Sequence, residues 1–221
     1  MTWEELYNRT VFKIWGISTP PAGVQAVLQG QYGLIANAHF KLQQDYNFWF
    51  MEDSTTIAMV DGTSAYALPA NFKEVVKSGF RFLDSVTGDY YPPITQLKPG
   101  VAFEDYRGST DESDYPTYYE IYNGQIVLYP PPSLTGAVLQ VRYYGYLDRP
   151  PTVFGATYDT LTRNGYNAIV ALAAADMCKI LEEYTKQQMF EAEANTEVAL
   201  LHQADDRMRR AEITECEYKG F

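Results

Sequence analysis

The chain has 221 residues, 46% of them hydrophobic and 20% charged, enough to bury a core in one or two domains and unlike a disordered polymer. Carboxylates number 28 against 17 lysines and arginines, and the net charge of −11 excludes a grip on nucleic acid through a broad basic surface. Aromatic residues reach 15%, with 19 tyrosines, whose apolar ring and polar tip suit half-buried strands and wet interfaces.

No early apolar run of signal-peptide or membrane-span length occurs, since residues 1–13 alternate polar and apolar side chains. Cys178 and Cys216 are too few for a disulfide framework, so a soluble chain in a reducing, intracellular compartment is expected.

Proline placement organises the rest. Only Pro20 and Pro21 precede Pro69, ten prolines fall from Pro69 to Pro151, and none follows. Proline removes a backbone donor and breaks helices, so the two flanks are free to be helical and the middle is not. The first helix opens with Thr2 and Glu5 in capping-box spacing and carries Leu6, Val11, Ile14 and Trp15 at helical intervals. Residues 16–21 stop it. A second, longer helix is predicted over 24–50, weakened at Gly30 and Gly33 and ending in the aromatic run DYNFWF at 45–50.

The middle, 55–146, reads as short strands and turns. Candidate strands cover 56–60 and 75–83, and the sharpest element is a hairpin turning on Asn123-Gly124. A two-residue turn pairs Ile121 with Ile126 and Tyr119 with Leu128 on one face, and leaves Tyr118, Glu120, Tyr122, Gln125, Val127 and Tyr129 on the other. Residues 130–132, three prolines, end it. A further strand follows at 138–144, with Leu139, Val141 and Tyr143 alternating against Gln140, Arg142 and Tyr144. Residues 108–116 form a polar, acidic loop.

The C-terminal flank, 166–219, contains neither Gly nor Pro. One apolar stripe holds Ile169, Leu172, Ala173, Met177, Ile180, Leu181 and Tyr184; a second holds Val198, Leu201, Ala204, Met208 and Ala211. An unbroken helix would exceed roughly 70 Å, so a bend is expected within 185–196, followed by a polar tail over the last ten residues. The predicted fold is α+β: N- and C-terminal helices packed as a bundle, with an inserted antiparallel β-sandwich or barrel-like region. The expected domains are 1–52 (N-terminal helices), 53–150 (β-rich) and 151–221 (C-terminal helices and acidic tail).

The motifs carry no catalytic, cofactor or metal constellation. His39 and His202 lie in separate helices without the clustered ligands zinc requires, and read as surface or interface histidines. Cys178 sits in an apolar helical stripe beside Met177 and reads as a small buried hydrophobe, not a nucleophile. Serine-hydrolase, P-loop and dinucleotide motifs are missing, and Asn8-Arg9-Thr10 is a chance match to a glycosylation acceptor. The acidic group Glu104, Asp105, Asp111, Glu112, Asp114 and Glu120, close to many tyrosines, has the composition of a glycosidase site, but solvated acidic loops share it. Two features qualify as partner interface: the basic cluster Arg207, Arg209 and Arg210, and the hairpin tyrosines Tyr118 and Tyr122. The plain reading of the arginines is complementing the dipole at the end of the last helix.

The ordered signals resemble the head-to-tail adaptors of tailed bacteriophages, especially the tail-tubular-protein-A type. They are the helical pair ending in DYNFWF, the strand leading to YALP at 66–69, the run YYEIYNGQIVLYPP at 118–131, the strand end VRYY at 141–144, and the Ala-rich helix 169–178. The extended C-terminal segment departs from the shorter members. The resemblance implies a non-enzymatic virion protein at the head–tail junction, made in the host cytoplasm, with no cofactor and no membrane contact. Its implied partners are a portal protein, a tail nozzle or tube protein and other copies of itself, closed into a twelve-fold ring. DNA would pass through that ring without specific binding, along an acidic lumen. The competing class is a carbohydrate-binding or hydrolytic tail-associated module using Tyr118 and Tyr122.

Overall fold

The computed structural model describes residues 1–83, 88–97, 115–133, 137–151 and 154–218, the last eight as backbone only. They divide into two compact units, Met1–Phe50 with Leu147–Phe221, which is helical, and Met51–Tyr146, which is made of strands. The fold is α+β.

In the helical unit, α1 (Trp3–Trp15) begins at the capping box: Glu5 N–H donates to Thr2 Oγ1 (3.2 Å) and Thr2 N–H donates to Glu5 Oε2 (2.9 Å). Two orphan donors of the helix start are thereby satisfied. Leu6, Val11 and Ile14 face the core as their spacing predicts. The helix expected over 24–50 is two helices, α2 (Val24–Leu28) and α3 (Leu34–Asp45). Apolar periodicity runs through the break, but Gly30 takes φ 92 and Gly33 N–H closes a turn onto the Gly30 carbonyl (3.1 Å). A Cβ on Gly33 would lie 2.5 Å from the carbonyl oxygens of Leu28 and Gln29, so the turn closes only on glycine.

After Leu147 the chain forms α4 (Thr160–Asn164), α5 (Tyr166–Ile180) and α6 (Tyr184–Tyr218). α5 is the central helix, packed by α1, α3 and α6, and its alanines at 168, 171, 173, 174 and 175 are all buried. Small side chains let neighbouring axes approach closely. The expected bend within 185–196 lies earlier, at 181–183. Glu182 takes φ 58 and Glu183 N–H donates to the Cys178 carbonyl (2.9 Å), which turns α6 back along α5. Beyond that corner α6 is continuous for 35 residues, about 50 Å, through the stretch expected to be a polar tail.

In the β unit, β1 (Glu52–Ala58), β3 (Phe72–Leu83) and β7 (Val138–Gly145) form an antiparallel sheet in the order β1-β7-β3. β2 (Ala65–Ala67), β4 (Thr95–Gln96), β5 (Tyr118–Tyr122) and β6 (Gln125–Tyr129) form a second sheet in the order β2-β6-β5-β4, with β4 parallel to β5. The hairpin pairs Ile121 with Ile126 and Tyr119 with Leu128 as the Asn-Gly turn dictates. Phe80, Phe82, Leu139, Val141 and Tyr143 of the first sheet share one core with Tyr66, Tyr119, Ile126 and Leu128 of the second. This is a sandwich. A barrel-like closure is not formed among the described residues: the second sheet ends on strands of three and two residues, too short to carry the ladder round.

Candidate functional site

Of the two groups read as partner interface, the basic cluster is in the helical unit and Tyr118 and Tyr122 are in the β unit. The three arginines are not equivalent. Arg207 and Arg210 are exposed, whereas Arg209 is half-buried and turned inward. Arg209 Nε donates to Asp205 Oδ2 (2.7 Å), one turn earlier on α6, and its terminal nitrogen donates to the Asn47 carbonyl (2.9 Å). The other oxygen of Asp205, Oδ1, accepts from Trp49 N–H, and Asp205 itself is buried. One carboxylate and one guanidinium therefore clamp the segment after α3 onto α6. The cluster also lies well before the helix end at Tyr218, so a C-terminal dipole does not account for it.

Beside the clamp is a groove of about 380 Å³, walled by Trp49 and Phe50 on one side and by Leu200, Ala204 and Met208 on the other. Leu200 and Met208 are exposed. His202 supports the aromatic wall, meeting the Tyr46 ring edge-on at 4.5 Å and Phe48 at 5.5 Å.

In the β unit Tyr122 is 57% exposed at the end of β5, and Tyr118 is half-buried. Tyr119, on the opposite face, stands in the core, where burial pushes its hydroxyl up to about 12. Of the acidic group named from sequence, Glu104, Asp105, Asp111, Glu112 and Asp114 lie outside the described residues. Glu120 is buried and accepts from Tyr129 Oη at 3.4 Å.

His39 departs from the expected surface position: it is 1% exposed. Trp3 packs against its ring edge-on at 5.0 Å, Gln43 Nε2 lies 3.0 Å from Nδ1, and Asp159 Oδ2 lies 2.9 Å from Nε2. Gln43 Oε1 accepts from Leu147 N–H (2.7 Å), which leaves its amide nitrogen as the donor to Nδ1. The proton on this imidazole is therefore on Nε2, the nitrogen beside Asp159. Both ring nitrogens are engaged in holding α3, the start of α4 and the returning chain together, so the pair is a structural tie and not an acid–base dyad.

Above His39 is a second cleft, of about 270 Å³, lined by Tyr32, Phe40, Asn37 and Arg149. The Arg149 guanidinium stands 5.8 Å from the Tyr32 ring centre and 5.5 Å from that of Phe40. Sequence reading missed this site, because Arg149 precedes a proline pair and adjoins no other cation. Cys178 is fully buried, and burial pushes its thiol up, away from nucleophilic chemistry. Among the described residues, no group of three or more His, Cys, Asp or Glu side chains could hold a metal ion, and no helix is long and apolar enough to cross a membrane.

The arrangement thus offers clefts and exposed aromatic and basic side chains suited to protein contact. The profile of the SU10 adaptor protein family matches residues 22–214, most of both units. The chain belongs to this family of phage head-to-tail adaptors. A search of curated proteins finds no match. The adaptor's family is structural, in keeping with a site built of packing surfaces.

Proposed function

We propose that this adaptor is a ring subunit seated between the portal and the tail nozzle or tube, with the genome passing through the ring. The family match across 22–214 carries the reading. Physical support comes from three features. A closed ring requires one surface of a copy to fit a different surface of the next. The helical unit supplies clefts and exposed apolar side chains for such contacts, and the β unit supplies exposed tyrosine. A net charge of −11 lets DNA slide past without the counterion release that drives protein binding to nucleic acid. Twelve copies are proposed from the resemblance, and the assembled location is the head–tail junction of the virion. The test is to mix the purified chain with portal rings and image the product by electron microscopy. A ring of adaptor copies capping the portal is expected. A chain that stays monomeric, with no complex on portal, would sink the assignment.

A further inference from the structure

The helical unit carries two exposed charges of opposite sign, each beside exposed apolar side chains and each without an ionic partner among the described residues. The first is Arg149. Its guanidinium is held over Tyr32 and Phe40, at 5.8 and 5.5 Å, and no carboxylate among the described residues pairs with it. Tyr32 is 78% exposed, more than any other large hydrophobic residue of the described chain. The backbone beneath is fixed: Leu147 N–H is bonded to Gln43, Gln43 to His39 and His39 to Asp159. Arginine and tyrosine on a rigid floor are the composition of an interface hot spot, and two flanking rings orient the guanidinium before any partner arrives.

The second is Glu182, at the tip of the corner between α5 and α6. Its φ of 58 costs conformational energy for a residue with a Cβ, and the corner is fastened by Leu181 N–H to the Met177 carbonyl and Glu183 N–H to that of Cys178. Around it Ile180 is 57%, Leu181 39% and Tyr184 64% exposed. These exposed apolar side chains, beside the Glu183–Lys186 ion pair (2.7 Å), are an unfavourable surface for a monomer to leave in water. The cleft at Arg149 offers aromatic walls for the apolar part and a cation for the tip.

We propose that the α5–α6 corner of one copy docks in the Tyr32–Phe40–Arg149 cleft of the next, with Glu182 on Arg149. The proposal rests on the ring reading above and names the contact that closes it. Two different surfaces meet, which is the head-to-tail relation a cyclic assembly needs. The occupant is a second copy because the same chain that leaves the cation open also presents an open carboxylate in a matching apolar frame. Pairing across the joint also fixes register and suppresses wrong neighbours.

The experiment is charge reversal in the full chain, read by electron microscopy as the fraction of portal rings capped. Arg149→Glu and Glu182→Arg are each expected to cut capping by at least about tenfold, since like charges then face each other across the joint. The double variant restores the pair and is expected to return capping to near the wild-type level. Circular dichroism and thermal melts serve as the folding control, and both positions are exposed. Rings that form normally with either single reversal overturn this proposal alone. Loss in Arg149→Glu with no rescue by Glu182→Arg assigns the cleft to portal or another partner and overturns it too. A wild-type chain that forms no ring on portal sinks the ring reading, a distinguishable failure.

Discussion

The two units are held together by different forces. At the heart of the helical unit is α5, whose buried side chains are mostly alanine, and the joints around it are fixed by polar clamps: Asp205 with Arg209 and Trp49, and Asp159 with His39 and Thr162. The β unit has a core of large rings, with Phe80 against Tyr119 at 4.5 Å, Phe72 against Tyr143 at 5.7 Å, and Tyr91 stacked on Tyr115 at 3.9 Å. The contrast follows from where backbone groups go unpaired. Helix ends leave donors and acceptors that side chains must meet: Asp159 meets those at the start of α4, and Asp205 and Arg209 reach from the middle of α6 to the backbone just after α3. Strand ladders satisfy their own backbone, and what remains to be decided is how the two faces fill. In the helical unit, then, charge sets position; in the sandwich, volume does.

The largest test of that contrast is a cavity in the sandwich. Phe80→Ala removes a side chain that is 1% exposed and takes away the edge-on partner of Tyr119, for an expected loss of about 3–5 kcal/mol. Hydrogen exchange in β3, β5 and β7 reports it; protection unchanged in those strands would mean that aromatic volume does not hold this unit.

A smaller effect is expected in the helical unit from Asp205→Ala, which removes almost no volume from the core. It leaves Arg209 without its carboxylate and Trp49 N–H without its acceptor, for a loss of about 1.5–3 kcal/mol. Trp49 is the readout: its fluorescence should shift as the segment after α3 loosens from α6. Unchanged emission together with unchanged stability would show the clamp to be incidental.

The same contrast governs what sequence reading could recover. Local signals were legible to the residue: Thr2 with Glu5, the register set by Asn123-Gly124, and the alternation of Leu139, Val141 and Tyr143 in β7. Each is complete within a few positions. The helix breaks were not, because apolar spacing continues through both. At Gly33 the deciding fact is a carbonyl contact that forms only once the turn has closed, and at Glu182 it is the return of α6 onto α5. The clamps were invisible for a related reason. Trp49 and Asp205 are 156 positions apart, and no periodicity connects them. Arg209 was visible as a cation, but its inward turn depends on that distant carboxylate. The candidate cleft at Arg149 joins α3 to the chain returning at Leu147, a juxtaposition that only the fold creates.

The finest test of the comparison uses pH, since Asp159 in the helical unit and Tyr119 in the sandwich titrate at opposite ends of the scale. Asp159 Oδ1 accepts from Thr162 N–H at 2.7 Å and Oδ2 faces His39 at 2.9 Å. Burial pushes its carboxyl up, but the contact with His39 and the bonds from Thr162 outweigh it and hold the group below the ordinary aspartate value. A depressed folded value stabilises fully above the unfolded value, about 3.9, and that contribution is lost as pH falls through the folded one. The stability gap between wild type and Asp159→Asn should therefore be complete above about pH 5 and close below about pH 4. Tyr119 has the opposite sign. Its folded value is raised to about 12, so its contribution is whole below the unfolded value of about 10 and fades between the two. Tyr119→Phe, which keeps the ring and removes the ionising group, should flatten that alkaline loss. Urea titrations across both ranges decide the matter: an acid-side gap that does not close for Asp159→Asn would mean that its carboxylate does not tie the start of α4 to α3.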